Sequence, residues 1–313
     1  MNLLTGSTGF IGRRVLAALA GRGDVCRVLL RHGSGSQAAQ VTLGDLADVA
    51  ALDAACAGIG CVIHCAGFAH AFSARSGDEA RQHWQVNFEG ARNLAEAAGR
   101  AGVRRFVFLS SVKAMAEPGE VCADEDFPGE PDSDYGRAKR AAEKAVLAAA
   151  ERYGMEAVNL RLCMVYGAGG RGNLERMGRL VRRGLFPPLP ETGNRRSLVH
   201  VDDVVAAILA VADDARAAGR TYIVCGPEAP SGRQLFAALR EAAGRGPVNW
   251  SAPASLLRLI AAVGDGLGRL PLNSEVLQRL LGSACYDGSR IQAELGWKPV
   301  VHLRDGLREM LGE

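Results

Sequence analysis

The sequence predicts an α/β fold in which a doubly wound parallel sheet is joined to a smaller, mostly helical lobe. Up to Tyr166, apolar runs of strand length alternate with stretches of helical periodicity. Nearly continuous apolar strands are typical of a parallel sheet that is covered on both faces. After Gly167, loop-rich segments and helices dominate. We therefore predict a sheet domain over residues 1–166, to which residues 195–226 return, and a smaller lobe formed by residues 167–194 and 227–313.

The elements of the sheet domain follow from the period of the apolar residues and from the glycines that end helices. Strands are predicted at Asn2–Thr5, Val25–Arg31, Val41–Leu43 and Cys61–His64, and in the segments RRFVFLSS and AVNLRL. Helices are predicted at Gly12–Ala20, Val49–Ala57, Asp78–Arg100 and Asp134–Tyr153.

Composition and charge narrow the class of protein. The chain carries 37 basic and 34 acidic residues and no block of lysine or arginine, so we expect no nucleic-acid partner. The apolar stretch at residues 255–263 contains Arg258 and is too short to span a bilayer, so we expect no membrane partner. We expect no signal peptide, because no basic and apolar stretch precedes the first strand. The eight cysteines form no CxxC pair, which predicts free thiols and a cytoplasmic protein.

Three glycines stand three residues apart in LLTGSTGFIGRR, between the first predicted strand and the first predicted helix. In a dinucleotide-binding turn, Gly6 allows the sharp turn, Gly9 lets the backbone approach a pyrophosphate, and Gly12 lets the helix pack on the strand. The helix N-terminus offers unpaired N–H groups and positive potential to the phosphates. The motif therefore predicts a Rossmann-type dinucleotide site. Further cofactor contacts are predicted at Thr8, Phe10 and Ile11.

The ends of the next three strands carry further candidates for the cofactor site. An acid that binds the ribose of NAD usually ends the second strand, but Arg31 stands there, and an arginine suits the 2′-phosphate of NADP. NADP is therefore favoured over NAD. Asp45 and Leu46, after the third strand, are placed to cover the adenine. The segment CAG after the fourth strand is predicted to lie beside the cofactor, through Cys65, Ala66 and Gly67.

A tyrosine and a lysine four residues apart form the candidate catalytic centre. Tyr135 and Lys139 lie in one predicted helix, where residues four apart share a face. We expect the charge of Lys139 to lower the pKa of Tyr135 towards neutrality. Ser111, at the end of the fifth strand, can hydrogen-bond the reacting oxygen. Together the three side chains predict a proton relay that interconverts a carbonyl and an alcohol with a nicotinamide cofactor.

These motifs and several others give the chain a resemblance to a known family. They are TGSTGFIG, HCAG, VNFEGARNL, FVFLSSVK, YGRAK, RLCMVYGAGGRGN, RRSLVHVDDV and LGWKP, and they run nearly end to end. With them the chain resembles the extended short-chain dehydrogenases/reductases, in the NAD-dependent epimerase/dehydratase group that acts on nucleotide sugars. The resemblance implies catalytic roles for Ser111, Tyr135 and Lys139, and cofactor contacts for Gly6, Gly9, Gly12, Asp45, Leu46, Ala66 and Lys139. No metal site is predicted.

The resemblance also implies a substrate, which the smaller lobe is predicted to bind, and an assembly. Asn173 and Arg196 match positions that usually hold a sugar nucleotide, and the guanidinium of Arg196 suits a diphosphate. A UDP-sugar is therefore the expected small-molecule partner. In this family two long helices often pair across a homodimer, and we expect a homodimer through Asp78–Arg100 and Asp134–Tyr153.

The residues after Ser111 distinguish three reactions. Sugar-nucleotide 4,6-dehydratases carry an acid pair there, and this chain has Val112 and Lys113 instead. UDP-hexose 4-epimerases usually show VYG, and this chain has Met115 in place of the tyrosine. SSVK and NLERMGRLVRRGLFPPLPETGNRRSLV look more like NAD(P)H-dependent reductases of UDP-4-keto-6-deoxy-N-acetylhexosamines in surface-polysaccharide biosynthesis, with Lys113 near the substrate. We predict this reductase; the alternatives are a UDP-hexose 4-epimerase, a reductase of the 3β-hydroxysteroid or flavonoid type, and a non-catalytic NADP-binding sensor.

Overall fold

The computed structural model describes residues 1–33, 40–68, 77–170, 172–267 and 274–312 of the chain. The strands are β1 Asn2–Thr5, β2 Cys26–Leu30, β3 Gln40–Leu43, β4 Cys61–His64, β5 Arg105–Ser111, β6 Cys122–Ala123, β7 Glu156–Leu162, β8 Met164–Tyr166, β9 Leu198–His200, β10 Thr221–Val224 and β11 Cys285–Tyr286. The helices are α1 Phe10–Gly21, α2 Val49–Cys56, α3 Gly77–Gln82, α4 Gly90–Arg100, α5 Asp134–Tyr153, α6 Asn173–Arg183, α7 Val201–Asp213, α8 Gly232–Ala242, α9 Ala254–Leu267, α10 Ser274–Leu281, α11 Ser289–Leu295 and α12 Leu303–Leu311.

Seven parallel strands form the central sheet in the order β10-β7-β5-β4-β1-β2-β3. The order therefore reverses at β1, which pairs with β2 on one side and β4 on the other. Thr5 lies opposite Leu29 and His64, so these three strands end at about the same level. Ligands of open parallel sheets bind at the carboxyl ends of the strands, beside such a reversal. The predicted α/β fold with a doubly wound, Rossmann-type sheet is confirmed.

Apolar side chains cover this sheet on both faces. On one face Val15 of α1 and Ile208 of α7 pack in a cluster with Val28 of β2. A second cluster contains Leu94 of α4 and Val146 of α5 together with other strand residues. Because the strands are buried on both sides, their sequences are nearly continuously apolar.

The second part of the chain contributes one strand to the sheet and forms the smaller lobe. β10 is the edge strand beside β7. A third apolar cluster, which includes Leu174, Phe236, Leu257 and Leu307, joins α6, α8, α9 and α12. Two short parallel sheets, β8 with β9 and β6 with β11, lie outside the central sheet. The residue numbers at which we divide the two domains stay a prediction.

The predicted helix Asp78–Arg100 is wrong in its middle. The structure has α3, then a π-helical segment at His83–Glu89, then α4. Within this segment Asn87 is buried, and its side chain bonds the backbone N–H and carbonyl of Phe68, each at 2.8 Å. The helical period of the sequence cannot indicate this contact with a distant loop. π-Helical turns are nevertheless often found in helices that contribute to a functional site.

The alanine-rich helices α4 and α5 pack against each other inside the chain. Ala95, Ala98, Ala142 and Ala149 are buried in the apolar cluster on that face of the sheet. Small side chains allow two helices to approach closely, so these alanines serve packing within the subunit. The homodimer stays a prediction.

The prediction that all cysteines are free is wrong for one pair. Cys122 in β6 and Cys285 in β11 form a disulfide across a separation of 163 residues. The two cysteines meet because β6 and β11 pair in parallel, with Cys122 opposite Cys285. The cytoplasmic location, which we inferred in part from free thiols, stays a prediction.

Helix length and hydropathy bear on the membrane question. Among the residues that the structure describes, no helix combines the length and the apolar character that crossing a bilayer requires. The expected absence of nucleic-acid and membrane partners stays a prediction.

Candidate active site

The glycine-rich turn between β1 and α1 is built on close backbone contacts. Gly6 has a φ of 70°, and a Cβ at this position would lie 2.6 Å from the backbone nitrogen of Ala66. A Cβ at Gly12 would lie 2.0 Å from the carbonyl oxygen of Gly6. The N–H of Gly9 closes the turn by donating to that same oxygen at 2.9 Å. A side chain at Gly6 or Gly12 would therefore push strand, turn and helix apart.

The N-terminus of α1 has the properties of an anion site. Its cap residue is Gly9, it has no side-chain cap among the described residues, and its first turn carries no acid. The first N–H groups of a helix lack partners within the helix, and the helix dipole favours negative charge there. A pyrophosphate supplies both the acceptor oxygens and the charge. The turn therefore fits a dinucleotide, with Thr8, Phe10 and Ile11 at the start of the helix.

The segment at the end of β4 lies between this turn and α5. Thr5 at the end of β1 holds it, because its hydroxyl oxygen accepts a hydrogen bond from the N–H of Ala66 at 3.2 Å. A Cβ at Gly67 would lie 3.6 Å from Nζ of Lys139. Cys65 to Gly67 thus connect the phosphate end of the site to the candidate relay.

The other cofactor candidates stand at the ends of β2 and β3. Arg31 directly follows β2 and is exposed. After β3, a carboxylate oxygen of Asp45 accepts from the N–H of Ala47 at 3.0 Å, and the carbonyl of Leu46 accepts from the side chain of Asn93 at 3.1 Å. These bonds fix the loop after β3. Its contact with adenine, and the preference of Arg31 for NADP, stay predictions.

Ser111, Tyr135 and Lys139 come together at the carboxyl end of β5. Ser111 is close enough to Tyr135 to lower the pKa of its phenol. Lys139 is buried, and its Nζ donates to the carbonyl of Leu109 at 2.8 Å. The same ammonium group lies 4.7 Å from the ring centre of Phe108, a cation–π contact. The structure therefore brings the three predicted relay residues to the carboxyl end of β5, while their catalytic roles stay predictions.

The first turn of α5 positions Tyr135. Ser133 caps the helix, since its hydroxyl oxygen accepts from the N–H of Gly136 at 3.1 Å. A Cβ at Gly136 would lie 2.1 Å from the carbonyl oxygen of Lys113, so only glycine lets α5 approach the segment after β5 this closely. The local sequence SDYG therefore both starts the helix and sets Tyr135 beside Ser111.

The protonation of the relay differs from our expectation. Burial raises the pKa of Tyr135 above its ordinary value, and the hydrogen bond with Ser111 acts in the opposite direction. Burial lowers the pKa of Lys139 to about 8, against the field of Glu143, which raises it. The predicted lowering of the pKa of Tyr135 by Lys139 is wrong in this structure, because removal of the phenol from water outweighs the favourable contacts.

A buried ion pair that no sequence motif indicated lies next to the relay. Glu143, one turn beyond Lys139 on α5, accepts from the hydroxyl of Ser110 at 2.6 Å. Arg161 of β7 donates to both of its carboxylate oxygens, at 3.0 and 2.8 Å. The spacing of four residues from Lys139 is the signal that could have indicated this acid.

The three predicted substrate residues lie on separate segments. Lys113 is partly exposed and forms an ion pair with Glu117. Asn173 is the first residue of α6. Arg196 donates from NH1 to the carbonyl of Gly282 at 3.0 Å, which ties it to the segment before β11. Their contacts with a substrate stay predictions.

Tyr286 is a buried phenol whose pKa depends on charges from several segments. It is buried in β11, and burial raises the pKa of its phenol. Glu117 and Asp132 raise this pKa further through their charges, while the charge of Arg196 lowers it. Charges on the segment after β5, on the segment before α5 and on Arg196 therefore act on this phenol. Sequence reasoning did not single out Tyr286, which reaches its place through the pairing of β11 with β6.

One side-chain cluster among the described residues has the composition of a metal site. Ligand atoms of His200, Asp202 and Glu309 lie within 4.8 Å of one another. Arg14 reaches both acids, with NH1 2.6 Å from Asp202 and NH2 2.9 Å from Glu309. Its guanidinium balances their charge, so we assign the cluster to an ion-pair network that links α1, α7 and α12.

A comparison with family models decides what the chain is related to. The model described as the NAD dependent epimerase/dehydratase family matches residues 2–225, which include the glycine turn, the relay and Arg196. The chain belongs to the NAD-dependent epimerase/dehydratase family. It is thus an enzyme of that family, and the resemblance to the extended short-chain dehydrogenases/reductases is confirmed.

Individual relatives match this member of the epimerase/dehydratase family over nearly its full length. It is 31% identical to a UDP-glucose 4-epimerase of Vibrio cholerae, over 98% of the chain and 93% of that protein. It is also 31% identical to sterol demethylase protein B of Methylococcus capsulatus, over 95% of the chain and 93% of that protein. The crystal structure of a Thermotoga maritima UDP-glucose 4-epimerase with UDP-glucose is 25% identical, with a TM-score of 0.79 over 100% of the chain and 98% of that structure.

Proposed function

We propose that the protein is a nucleotide-sugar oxidoreductase that acts at C4 of a UDP-linked sugar, with net reduction of a 4-keto group. The observation that carries the proposal is the position of the relay. Ser111 acts on the phenol of Tyr135, and Lys139 lies beside Gly67, whose segment packs against the glycine turn. Tyr135, the proposed proton donor, therefore belongs to a group of side chains beside a turn that fits a dinucleotide.

The roles of the relay follow from this arrangement. When bound, the nicotinamide supplies the hydride that reduces the carbonyl carbon. Tyr135 gives the proton of its hydroxyl to the oxygen, and Ser111 hydrogen-bonds that oxygen while negative charge develops. Lys139, with a pKa of about 8, is mostly charged at neutral pH and favours the phenolate that remains after the proton has moved. Reoxidation of an alcohol uses the same groups in reverse.

The UDP-sugar assignment is supported by the charge of Arg196 and by the relatives. The guanidinium of Arg196 suits a diphosphate, and its charge acts on the phenol of Tyr286 together with those of Glu117 and Asp132, which lie on the segments that flank the relay. Asn173 is proposed as a second contact. The named UDP-glucose 4-epimerases among the relatives support the same substrate class.

A 4,6-dehydratase reaction has less support. Elimination of water requires an acid and a base near the relay, and the two positions after Ser111 hold Val112, which is buried, and Lys113, whose side chain is partly exposed. The nearest acid of that segment, Glu117, is already paired with Lys113.

A UDP-hexose 4-epimerase is the second candidate, and the names of the relatives favour it. The two reactions share the relay and differ in net cofactor use. A purified reductase should consume one NADH or NADPH per molecule of UDP-4-keto-6-deoxy-N-acetylhexosamine. Interconversion of UDP-hexoses without net cofactor consumption would contradict the reductase and support the epimerase.

Substitution of the relay separates an enzyme from a sensor. Tyr135→Phe should lower the rate of either reaction by about 100-fold or more, because it removes the proton donor. Tyr153→Phe, on the exposed end of the same helix, is the matched control and should keep the rate. Competition by UDP against turnover tests the substrate class, and faster turnover of apolar ketones without inhibition by UDP would contradict the nucleotide-sugar assignment.

A further inference from the structure

His83 packs against the proposed proton donor. Its ring centre lies 5.4 Å from that of Tyr135, with an angle of 64° between the ring planes, which is an edge contact. The same imidazole lies 5.0 Å from the ring centre of Phe68, at 58°. Aromatic pairs prefer such tilted and edge arrangements. The imidazole is therefore in contact with both the segment after β4 and the relay.

Asn87 fixes the orientation of this imidazole. Its Oδ1 accepts from the N–H of Phe68, which identifies the oxygen end of the amide, and its Nδ2 donates to the carbonyl of Phe68. The other hydrogen of Nδ2 is available to Nδ1 of His83, 3.2 Å away. Because Nδ2 is a donor, Nδ1 must accept, and the neutral ring carries its proton on Nε2. The imidazole is thus held in one tautomer and one orientation.

The π-helical segment supplies both members of this pair. His83 is its first residue, and Asn87 is the buried residue within it. π-Helical segments are rare in proteins, and those that occur often lie at functional sites. Here the segment contributes no member of the relay, yet it reaches the relay through the ring of His83.

The ring of Tyr135 can turn about two side-chain torsions, so a contact with the ring itself is needed to fix its orientation. Its helix is fixed by the cap at Ser133 and by the close approach at Gly136, but these contacts hold only the backbone. Ser111 is near enough to the hydroxyl to lower its pKa. An error of about 1 Å in the position of a reacting group can cost about 100-fold in rate, so the orientation of the ring matters for proton transfer.

We propose that His83 is a positioning residue that holds the ring of Tyr135 in the orientation for proton transfer, and that Asn87 holds His83. The proposal rests on the proposed role of Tyr135 in oxidoreduction. The order of the ring is, however, a property of the protein without substrate, so it can be measured independently of activity.

The kinetic test compares His83→Ala, His83→Phe and Trp84→Ala. Trp84 is the matched control, because it is the neighbour in the same segment and its ring contacts Phe88. We expect His83→Ala to lower kcat about tenfold or more with an unchanged KM, since the interaction acts on proton transfer and not on binding. His83→Phe keeps an aromatic edge at this place and should recover kcat to within about threefold. Trp84→Ala should keep the wild-type kcat.

Fluorine NMR of protein labelled with 3-fluorotyrosine reports the ring directly. Tyr135→Phe assigns the resonance, which we expect to be shifted or broadened in His83→Ala and close to wild type in His83→Phe. Unfolding midpoints of all variants are measured in parallel. If His83→Ala does not fold, His83→Leu takes its place in both measurements.

The outcomes are distinct. A wild-type kcat and an unchanged Tyr135 resonance in His83→Ala would overturn the proposal. Equal impairment of His83→Phe and His83→Ala would also overturn it, because the ring contact would then not be the cause. A Tyr135 resonance that depends on His83, in a protein without activity on UDP-sugars, would support the positioning role and contradict the proposed function.

Discussion

Gly12→Ala tests the glycine turn with a single methyl group. In an ordinary helix this change stabilises by about 1 kcal/mol, because alanine is the better helix former. Here the new Cβ would lie 2.0 Å from the carbonyl oxygen of Gly6 and 3.0 Å from the Cα of Ser7, which is backbone on both sides. Strand, turn and helix must therefore separate by roughly 1 Å to reach a normal contact, and such overpacking costs about 1–3 kcal/mol.

The loss should fall mainly on cofactor binding. The same carbonyl of Gly6 accepts the N–H of Gly9, so a shift of this group opens the cradle for the pyrophosphate. We expect the Kd for NAD or NADP to rise about tenfold or more, which is about 1.4 kcal/mol or more of binding free energy. Isothermal titration calorimetry measures the affinity, and urea unfolding measures the stability.

Gly21→Ala is the matched control in the same helix. A Cβ there would have no described heavy atom within 4 Å, so we expect an unchanged Kd and an unchanged or slightly increased stability. If Gly12→Ala bound the cofactor as tightly as the wild type, the close contact between α1 and the turn could not be what shapes the cradle.

Three further predictions concern stability. Arg161→Met should cost about 3–5 kcal/mol in urea unfolding, because it leaves a buried carboxylate unpaired. Arg104→Met removes the more exposed ion pair with Glu156 and should lower the free energy of unfolding by less than about 1 kcal/mol. Equal losses of stability in the two variants would refute the argument that burial sets the cost. Replacement of Cys122 and Cys285 by serine should lower stability by up to about 5 kcal/mol and make unfolding insensitive to a thiol reductant, whereas the wild type responds to it. Lys139 has a pKa of about 8 in the folded protein and about 10.5 in the unfolded chain, so the unfolded chain binds more protons between these two pH values. The free energy of unfolding should therefore increase by up to about 1.4 kcal/mol per pH unit as the pH rises through this range. Lys139→Met should lack this increase, and a pH profile identical to that of the wild type would contradict the buried ammonium group.

Several elements were predictable because their signals are local. Cys61–His64 and Asp134–Tyr153 are predicted and observed with the same bounds. The helix begins after Ser133, whose side chain caps it, and ends at Gly154, which has a φ of 68°. A cap and a left-handed glycine act within a few residues of the chain, so the sequence carries them directly.

The π-helical segment shows where local signals end. Its residues continue a helical pattern, but Asn87 bonds the backbone of Phe68, which belongs to another segment. The competing hydrogen bonds come from tertiary structure, and a helix prediction from periodicity contains no term for them. The contact of His83 with Tyr135 depends on the same segment.

The amino-acid sequence by itself predicted most strands and helices of the sheet domain, the glycine turn and the candidate relay residues, because spacing along one strand or one helix face is enough to define them. Tertiary structure alone decided that Cys122 meets Cys285, that the charge of Arg196 acts on Tyr286, and that burial raises the pKa of Tyr135. Distances between remote segments and the removal of side chains from water are properties of the packed molecule, and no local pattern encodes either.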